Sequence, residues 1–316
     1  MKYLKTRWLI FLLAIILLIA IIILLNYSPK KSQPDSLEKG RVLNREKKSF
    51  DSIKDSVILY GKQLIDSTSK YLGPHGVVAS ITNGLNCSSC HLESGTKLHT
   101  FNFMAVASTY PKFRERSGRI ESVEFRINEC LQRSLNGKKI DSLSKEMRAL
   151  VAYIKWTGID INPAIAKTKE LPFLERAADP ERGKLIYLAK CKSCHGENGG
   201  GVLIQDSLRY VYPPLWGEHS YAVSAGMFRI TKLASFIKYN MPFGATFEKP
   251  QVTDAEAWDL AGYITSQPRP KKMFAYDWPV VSTKPVDYPF GPYTDTFSER
   301  QHKYGPFAQI EKAKKR

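Results

Sequence analysis

Two cysteine–histidine motifs hold the clearest chemistry in the sequence. Residues 87–91 read CSSCH, and residues 191–195 read CKSCH. Two thiols on one turn of chain reach the two vinyl groups of a porphyrin, and the histidine that follows lies beneath the iron as its proximal ligand. One motif alone could be a disulfide or a zinc site, but two of them in an exported chain favour haem. We therefore predict two covalently bound haem c groups, attached through Cys87, Cys90 and His91 and through Cys191, Cys194 and His195.

A loop before the last helix of the second motif's domain offers a distal ligand for that haem. Met241 lies in the stretch KYNMPFG, where a proline follows the methionine. Methionine ligation raises the reduction potential and suits an electron-transfer haem. Met227 is a weaker rival because it lies in an ordinary Gly-Met-Phe stretch. We predict Met241 as the iron ligand.

The first motif has no methionine at the corresponding place. Four residues remain open as its distal ligand: His99, Met104, Cys130 and Met147. Cys130 is the one cysteine of the five that neither motif uses.

Cys130 lies in a helical pattern over residues 121–136, which Gly137 ends. Arg126, Cys130 and Ser134 recur every four residues, so they share one helix face. A lone helical cysteine is most often a small buried hydrophobe. An adjacent arginine instead favours the thiolate, which is both an iron ligand and a nucleophile. The residues alone leave both readings open.

The two motifs lie in two copies of one pattern: a helix, the motif, a long loop-and-helix region and a closing amphipathic helix. In the first copy we expect helices over 51–69 and 142–156, the second ended by Gly158. Its apolar stripe consists of Leu143, Met147, Leu150, Val151 and Ile154.

In the second copy, Asp179 and Pro180 begin the opening helix, and Thr253 begins a capping box. By similarity to small cytochromes c, we expect Gly183 and Tyr263 where the first and last helices cross. Gly61 has the matching place in the first copy.

We therefore predict an all-α fold with two tandem class I cytochrome c-like domains, an N-terminal transmembrane helix and an irregular C-terminal extension. The extension is rich in proline, tyrosine and phenylalanine, so we expect it to pack on the domains. The segments are an anchor at 1–25, a polar tether at 26–50, the first domain at 51–158, a linker at 159–178, the second domain at 179–268 and the extension at 269–316.

The N-terminus predicts a membrane location. An apolar run over residues 8–25 follows Lys2, Lys5 and Arg7, which predicts a cytoplasmic N-terminus. A cleaved signal peptide is the competing reading, but no small-x-small cleavage site follows the run. We expect an uncleaved single-pass anchor in the inner membrane and haem domains in the periplasm.

A formal net charge of +17 favours anionic partners. Nucleic acid, anionic lipid, an acidic protein and a small anion all fit that charge. No zinc finger, RNP motif or basic zipper is visible, so we predict no nucleic-acid partner.

Four segments of the sequence resemble the thiosulfate dehydrogenase family, diheme cytochromes that couple two thiosulfates into tetrathionate. They are residues 83–97, 110–140, 236–244 and 287–307. The resemblance extends over nearly all of residues 55–310.

The resemblance implies that the first haem is catalytic, with His91 and Cys130 as axial ligands. The second haem, with His195 and Met241, passes electrons to a redox protein or respiratory-chain acceptor. By position, Arg116 and Arg126 would hold the anionic substrate and Ser134 would line the same pocket. Substrate sulfur would react at the iron or with the Cys130 sulfur, and the reaction could run in either direction.

The sequence departs from the family at one position. Some members carry a lysine immediately before the methionine of the second haem, which permits ligand exchange, but Asn240 stands there here. A ligand switch would therefore need Lys238.

Two other functions compete with the enzyme. One is a non-catalytic diheme electron-transfer cytochrome, in which Cys130 is inert and the arginines are docking charges. The other is a peroxidase-type diheme enzyme, which only the number of haems supports.

Overall fold

A computed structural model describes residues 55–159, 161–162, 164, 166–205 and 208–315. The predicted anchor and tether, residues 1–50, lie outside this part of the chain. A search of the described residues for a membrane-spanning helix finds none.

The described part of the first domain, residues 55–158, contains six α-helices and one hairpin. Its elements are α1 (Ser56–Asp66), α2 (Thr68–Leu72), α3 (Leu92–Gly95, a single irregular turn), α4 (Val106–Thr109), β1 (Lys112–Arg114), β2 (Arg119–Glu121), α5 (Val123–Arg133) and α6 (Lys145–Thr157). The first cysteine motif begins with a short 3₁₀ turn at Cys87–Ser89.

The second domain and the extension contain the remaining helices of the described chain. They are α7 (Pro180–Lys190), α8 (Lys192–His195), β3 (Val202–Leu203), β4 (Tyr210–Tyr212), α9 (Ile230–Asn240), α10 (Asp254–Ser266), α11 (Glu299–Tyr304) and α12 (Phe307–Lys314). Further 3₁₀ turns lie at Gly226–Phe228 and Val281–Thr283.

Helix α1 begins at Ser56, because the Asp55 carboxylate accepts hydrogen bonds from the backbone of Val57 at 2.8 Å and Ile58 at 3.3 Å. It packs against α6 at Gly61. A Cβ atom there would lie 2.1 Å from the Ala149 carbonyl oxygen. Only glycine permits so close a crossing.

Helix α6 begins at Lys145, three residues later than expected. The Ser144 hydroxyl caps it by accepting from Met147 N at 3.1 Å. Leu143 instead lies in the preceding turn, where its backbone N–H bonds the Asp141 carboxylate at 2.9 Å. The predicted burial of Leu143 is therefore wrong, since its side chain is 75% exposed. The other four members of the stripe are buried.

The second domain repeats the crossing. Asp179 caps α7, and the predicted capping box at Thr253 begins α10. A Cβ atom on Gly183 would lie 2.0 Å from the Asp259 carbonyl oxygen and 2.8 Å from the Tyr263 Cβ atom. The crossing expected at Gly183 and Tyr263 is present.

Two short antiparallel hairpins qualify the all-α prediction. Strand β1 pairs with β2 through Lys112↔Glu121 and Arg114↔Arg119. Strand β3 pairs with β4 in the second domain. Strands of two or three residues are too short to produce a clear alternating pattern in the sequence.

The C-terminal extension contacts both domains. Phe307 and Ile310 of α12 are buried in the core of the second domain. Lys272 Nζ donates to the Gly137 carbonyl of the first domain at 2.6 Å. The extension therefore holds the two domains in contact.

Candidate active site

A cavity of about 430 Å³ lies against the first cysteine motif. This volume falls in the usual range for small-molecule and cofactor sites. One wall carries the motif, and the facing wall is helix α5. The predicted site residues on these two walls are Cys87, Cys90, His91, Arg126, Cys130 and Ser134.

The two motif histidines have the same local geometry. His91 Nδ1 hydrogen bonds the Phe101 carbonyl, and His195 Nδ1 hydrogen bonds the Pro213 carbonyl at 2.9 Å. Burial lowers the pKa of His91 to about 4 and also lowers the pKa of His195. Each imidazole is therefore neutral at neutral pH. With Nδ1–H donating to a carbonyl, Nε2 is the nitrogen left to bind a metal.

This chemistry fits haem c at both motifs. Cys87 and Cys90 would form the thioether links in the first domain beside His91, and Cys191 and Cys194 would do so in the second. Met241 follows α9 and is partly buried against the core of the second domain.

Helix α5 positions Cys130 on the cavity wall. The Ser122 hydroxyl caps the helix by accepting from Phe125 N at 3.2 Å. The charge of the Cys130 sulfur is the main cause that raises the pKa of Arg126. Burial raises the pKa of Cys87 and Cys90 to about 12, and the charge of Cys130 adds to both rises. The unused cysteine therefore lies close to the motif.

The other three candidate ligands of the first haem lie elsewhere. Met104 and Met147 are almost fully buried. His99 stacks on Phe247, with 3.8 Å between ring centroids. Among the described residues that line the cavity, Cys130 is the only one of the four candidates.

The cavity wall carries basic side chains and no acidic ones among the described residues. Its described lining includes no aspartate or glutamate but five basic residues: Arg114, Arg116, Arg126, Arg229 and Lys232. Arg229 pairs with Asp287 at 2.6 Å, and Lys232 pairs with Glu170. Within the described chain, no carboxylate lies within 4.0 Å of Arg114 or Arg126. These two charges are available to an anion in the cavity.

Arg116 lines the cavity but already has a carboxylate partner. Its Nη2 donates to Asp277 Oδ2 at 2.8 Å and to the Ser224 carbonyl at 2.6 Å. Burial lowers the pKa of Arg116, and the hydrogen bond to Asp277 opposes that shift. Arg116 Nε is buried and has no hydrogen-bond partner among the described residues. Of the two predicted substrate arginines, Arg126 therefore has the uncompensated charge.

A short segment of the extension, residues 274–278, supports helix α5; we call it the strap. Asp277 accepts two hydrogen bonds from the Arg133 guanidinium at 2.7 Å, and Arg133 Nε donates to Glu129 at 2.6 Å. Tyr276 donates to the same Glu129 at 2.6 Å. This buried network fixes the turn of α5 that carries Cys130.

Sequence reasoning missed the strap. Trp278 N donates to the Arg116 carbonyl at 2.6 Å, and the Trp278 side chain lines the cavity. The aromatic composition of the extension predicts that it packs on the domains. No local sequence pattern pairs Asp277 with Arg133, because the two residues are 144 positions apart.

The second domain also closes the first cavity. Tyr221 and Met227 lie in its lining. Ala222 N donates to the Arg133 carbonyl at 3.0 Å, which docks this loop onto α5. Met227, the rival ligand for the second haem, therefore lies at the cavity of the first motif.

Comparison with known proteins finds matches for both domains. The cytochrome c domain of the SoxA/TsdA family matches residues 79–159, and the cytochrome c family matches residues 180–268. A thiosulfate dehydrogenase of Psychrobacter arcticus is 38% identical over 223 residues, covering 69% of this chain and 65% of that protein. One from Allochromatium vinosum is 38% identical over 198 residues, covering 60% of this chain and 72% of that protein.

One solved structure resembles the fold. Thiosulfate dehydrogenase (TsdBA) of Marichromatium purpuratum, in its as-isolated form, superposes with a TM-score of 0.60 and 30% identity. The match covers 68% of this chain and 46% of that chain. This chain thus spans less than two thirds of the first relative and of the solved protein. The extent and identity of these matches show that the chain belongs to the thiosulfate dehydrogenase family and that its two cytochrome c domains each carry a covalently bound haem c.

Proposed function

We propose that this protein oxidises two thiosulfate ions to tetrathionate at the first haem site and passes two electrons through the second haem to an acceptor. The observation that supports this most is the cavity that joins the first motif to Cys130. It presents five basic residues and, among the described residues, no carboxylate. Two of these residues, Arg114 and Arg126, have no carboxylate partner in the described chain, and their charge favours an anion beside the first haem.

Arg126 and Arg114 are the groups we assign to substrate binding. Neither has a carboxylate partner among the described residues, and a guanidinium fork matches the oxygen atoms of an oxyanion. The Ser134 hydroxyl lines the same wall. Arg116 Nε adds a buried donor that has no partner in the described chain.

Electrostatic repulsion opposes the binding of two thiosulfate ions in one cavity. Two dianions about 4 Å apart repel each other by roughly 17 kcal/mol at an effective dielectric constant of about 20. The cationic wall offsets this repulsion, whereas carboxylates in the lining would add to it. Arg114 and Arg126, which have no carboxylate partner in the described chain, are the charges that offset this repulsion.

The reaction forms one sulfur–sulfur bond between two thiosulfates and releases two electrons. Each haem, when bound, accepts one electron. His91 and Cys130 would hold the iron of the first haem, and His195 and Met241 would hold that of the second. Arg126 and Cys130 line the same cavity wall.

We further propose that the second haem keeps Met241 in both oxidation states. Lys238, the lysine that a ligand switch would need, pairs with Asp254 at 2.7 Å and donates to the Val252 carbonyl at 2.8 Å. Asn240 Nδ2 donates to the Phe236 carbonyl at 3.1 Å. Spectral signatures of methionine ligation in both the oxidised and the reduced protein would support this, and a signature of lysine ligation in either state would contradict it.

Steady-state oxidation of thiosulfate with an artificial electron acceptor tests the activity. The haem-loaded protein should turn over thiosulfate and produce tetrathionate. A protein with both haems attached but no turnover in either direction would be an electron-transfer cytochrome instead.

We also propose that residues 8–25 anchor the protein in the inner membrane, with the haem domains in the periplasm. The basic residues before this apolar run support that orientation. Membrane fractionation and intact mass test this proposal. An anchored protein stays in the membrane fraction at its full mass, whereas cleavage of a signal peptide would release a shorter protein from that fraction.

A further inference from the structure

The loop that follows Met241, residues 242–250, is held in part by the first domain. Six of its nine residues are exposed, whereas Phe247 is half-buried. The Phe247 ring stacks on His99 of the first domain, with 3.8 Å between ring centroids and 21° between ring planes. A segment with so few buried contacts opens easily, so its closed position depends on each contact that it makes.

His99 also contacts the residues that come just before Met241. The His99 carbonyl accepts a hydrogen bond from Asn240 Nδ2 at 3.4 Å, and the His99 ring centroid lies 6.4 Å from that of Tyr239. Tyr239 in turn packs against Phe247, with 4.9 Å between ring centroids. These three rings therefore form one cluster that joins the chain before the methionine to the chain after it.

The first-domain segment that carries His99 is fixed in place. His99 has a φ of 59°, in the left-handed region that residues other than glycine seldom adopt. Such a backbone persists only where the surrounding contacts hold it. Here the linker provides them: Thr168 Oγ1 donates to the Thr100 carbonyl at 2.5 Å, and Asn102 Nδ2 donates to the Ala166 carbonyl at 2.8 Å. The His99 ring is therefore a firm surface for the loop.

The same segment reaches the first cysteine motif. The Phe101 carbonyl accepts the hydrogen bond from His91 Nδ1. The Phe101 ring stacks on Phe236 of α9, with 5.9 Å between ring centroids and 8° between ring planes. Residues 99–101 thus contact the predicted proximal ligand of the first haem on one side and the helix that ends before Met241 on the other.

We infer that His99 is a positioning residue for the second haem, because its ring holds the loop after Met241 closed from the first domain. The inference rests on the proposed ligation of the second haem by Met241. Without the His99 ring, the loop opens more often and the methionine is more easily replaced by a competing ligand. The first domain would then stabilise the ligand set of its neighbour as well as its own.

The test is a titration of the oxidised, haem-loaded full chain with imidazole, which replaces the methionine only when the loop opens. The readout is loss of the absorption band of methionine-bound ferric haem. From the strength of aromatic pairs, His99→Ala should reach half-saturation at a roughly 2- to 13-fold lower imidazole concentration. His99→Phe keeps a ring against Phe247 and should behave as the wild type does. His219→Ala, which removes an exposed histidine of the second domain, is the matched control and should change nothing.

A wild-type methionine band and wild-type imidazole affinity in His99→Ala would overturn the inference and leave the Met241 assignment standing. A His99→Phe protein that binds imidazole as His99→Ala does would also overturn it. Absence of the methionine band from the wild type would overturn the Met241 assignment, and this inference with it.

Phe247→Ala tests the same contact from the loop if His99→Ala does not accumulate with haem. It should give a gain in imidazole affinity of the same size, and an unchanged affinity would overturn the inference. In the double variant, the gain should be smaller than the product of the two single gains, because both substitutions remove one stacking contact. None of these readouts depends on thiosulfate turnover.

Discussion

The two cytochrome domains share a scaffold and differ in what faces the motif. Gly61 and Gly183 permit the same helix crossing, and both motif histidines donate to a backbone carbonyl. In the first domain, α5 places Cys130 and Arg126 on a cationic cavity wall. In the second domain, the chain after α9 offers Met241. The scaffold therefore provides the haem site, and the facing segment decides its chemistry.

The largest expected effect comes from removing the cysteine that faces the first motif. Cys130→Ala should lower thiosulfate turnover by about 10³-fold or more, as loss of a central catalytic group does in other enzymes. Steady-state assays at equal haem content measure it. Met104→Leu is the control, because this buried methionine does not line the cavity. Full activity in Cys130→Ala would remove the proposed role of that sulfur.

The strap is the next point at which the domains differ. Asp277→Asn leaves Arg133 with a single carboxylate, so we expect the free energy of unfolding to fall by about 3–5 kcal/mol. Denaturant unfolding of the haem-loaded protein measures this. Asp254→Asn breaks the partly exposed Lys238 pair of the second domain and should cost ~1 kcal/mol or less. Equal losses in the two variants would mean that the strap stabilises the protein no more than a partly exposed ion pair does.

Arg126 tests the electrostatics of the cavity. Arg126→Gln removes charge-assisted hydrogen bonds worth about 1.5–3 kcal/mol each, so kcat/KM for thiosulfate should fall roughly 10- to 150-fold. Electron transfer from a chemical reductant to both haems should be unaffected. Arg119→Gln, on exposed β2 outside the cavity lining, should keep wild-type kinetics. Wild-type kcat/KM in Arg126→Gln would assign substrate binding to other cations.

The smallest expected effect on stability concerns the glycine helix crossing that the two domains share. Gly61→Ala and Gly183→Ala should each lower the free energy of unfolding by about 1–3 kcal/mol, because a methyl group would overlap the carbonyl of the crossing helix. Gly200→Ala, where a Cβ atom would meet nothing within 4 Å, is the control. A large loss at only one crossing would show that the two domains are not built alike.

Local signals predicted much of the fold. The Asp179 cap, the Thr253 capping box and the two motifs each depend on residues a few positions apart, so the sequence displays them directly. The helix that carries Arg126 and Cys130 was likewise expected, although its C-terminal end falls at Arg133, with Ser134 as the cap.

The contacts between distant segments were not predictable. By sequence Met227 is a candidate ligand of the second haem, because it lies in the second domain, but the loop that carries it docks on the first cavity. Asp277 has no sequence pattern that joins it to Arg133, since their pairing depends on how the extension wraps. Leu143 fitted the apolar stripe, yet the Ser144 cap places it outside the helix.

A crystal structure of the haem-loaded protein would test the difference between the two domains most directly. The measurement is the distance from each distal sulfur to its iron. The two-domain account predicts that Cys130 Sγ lies at bonding distance from the first iron and Met241 Sδ at bonding distance from the second. A first iron bound by another side chain, with Cys130 packed as an ordinary buried cysteine, would contradict it.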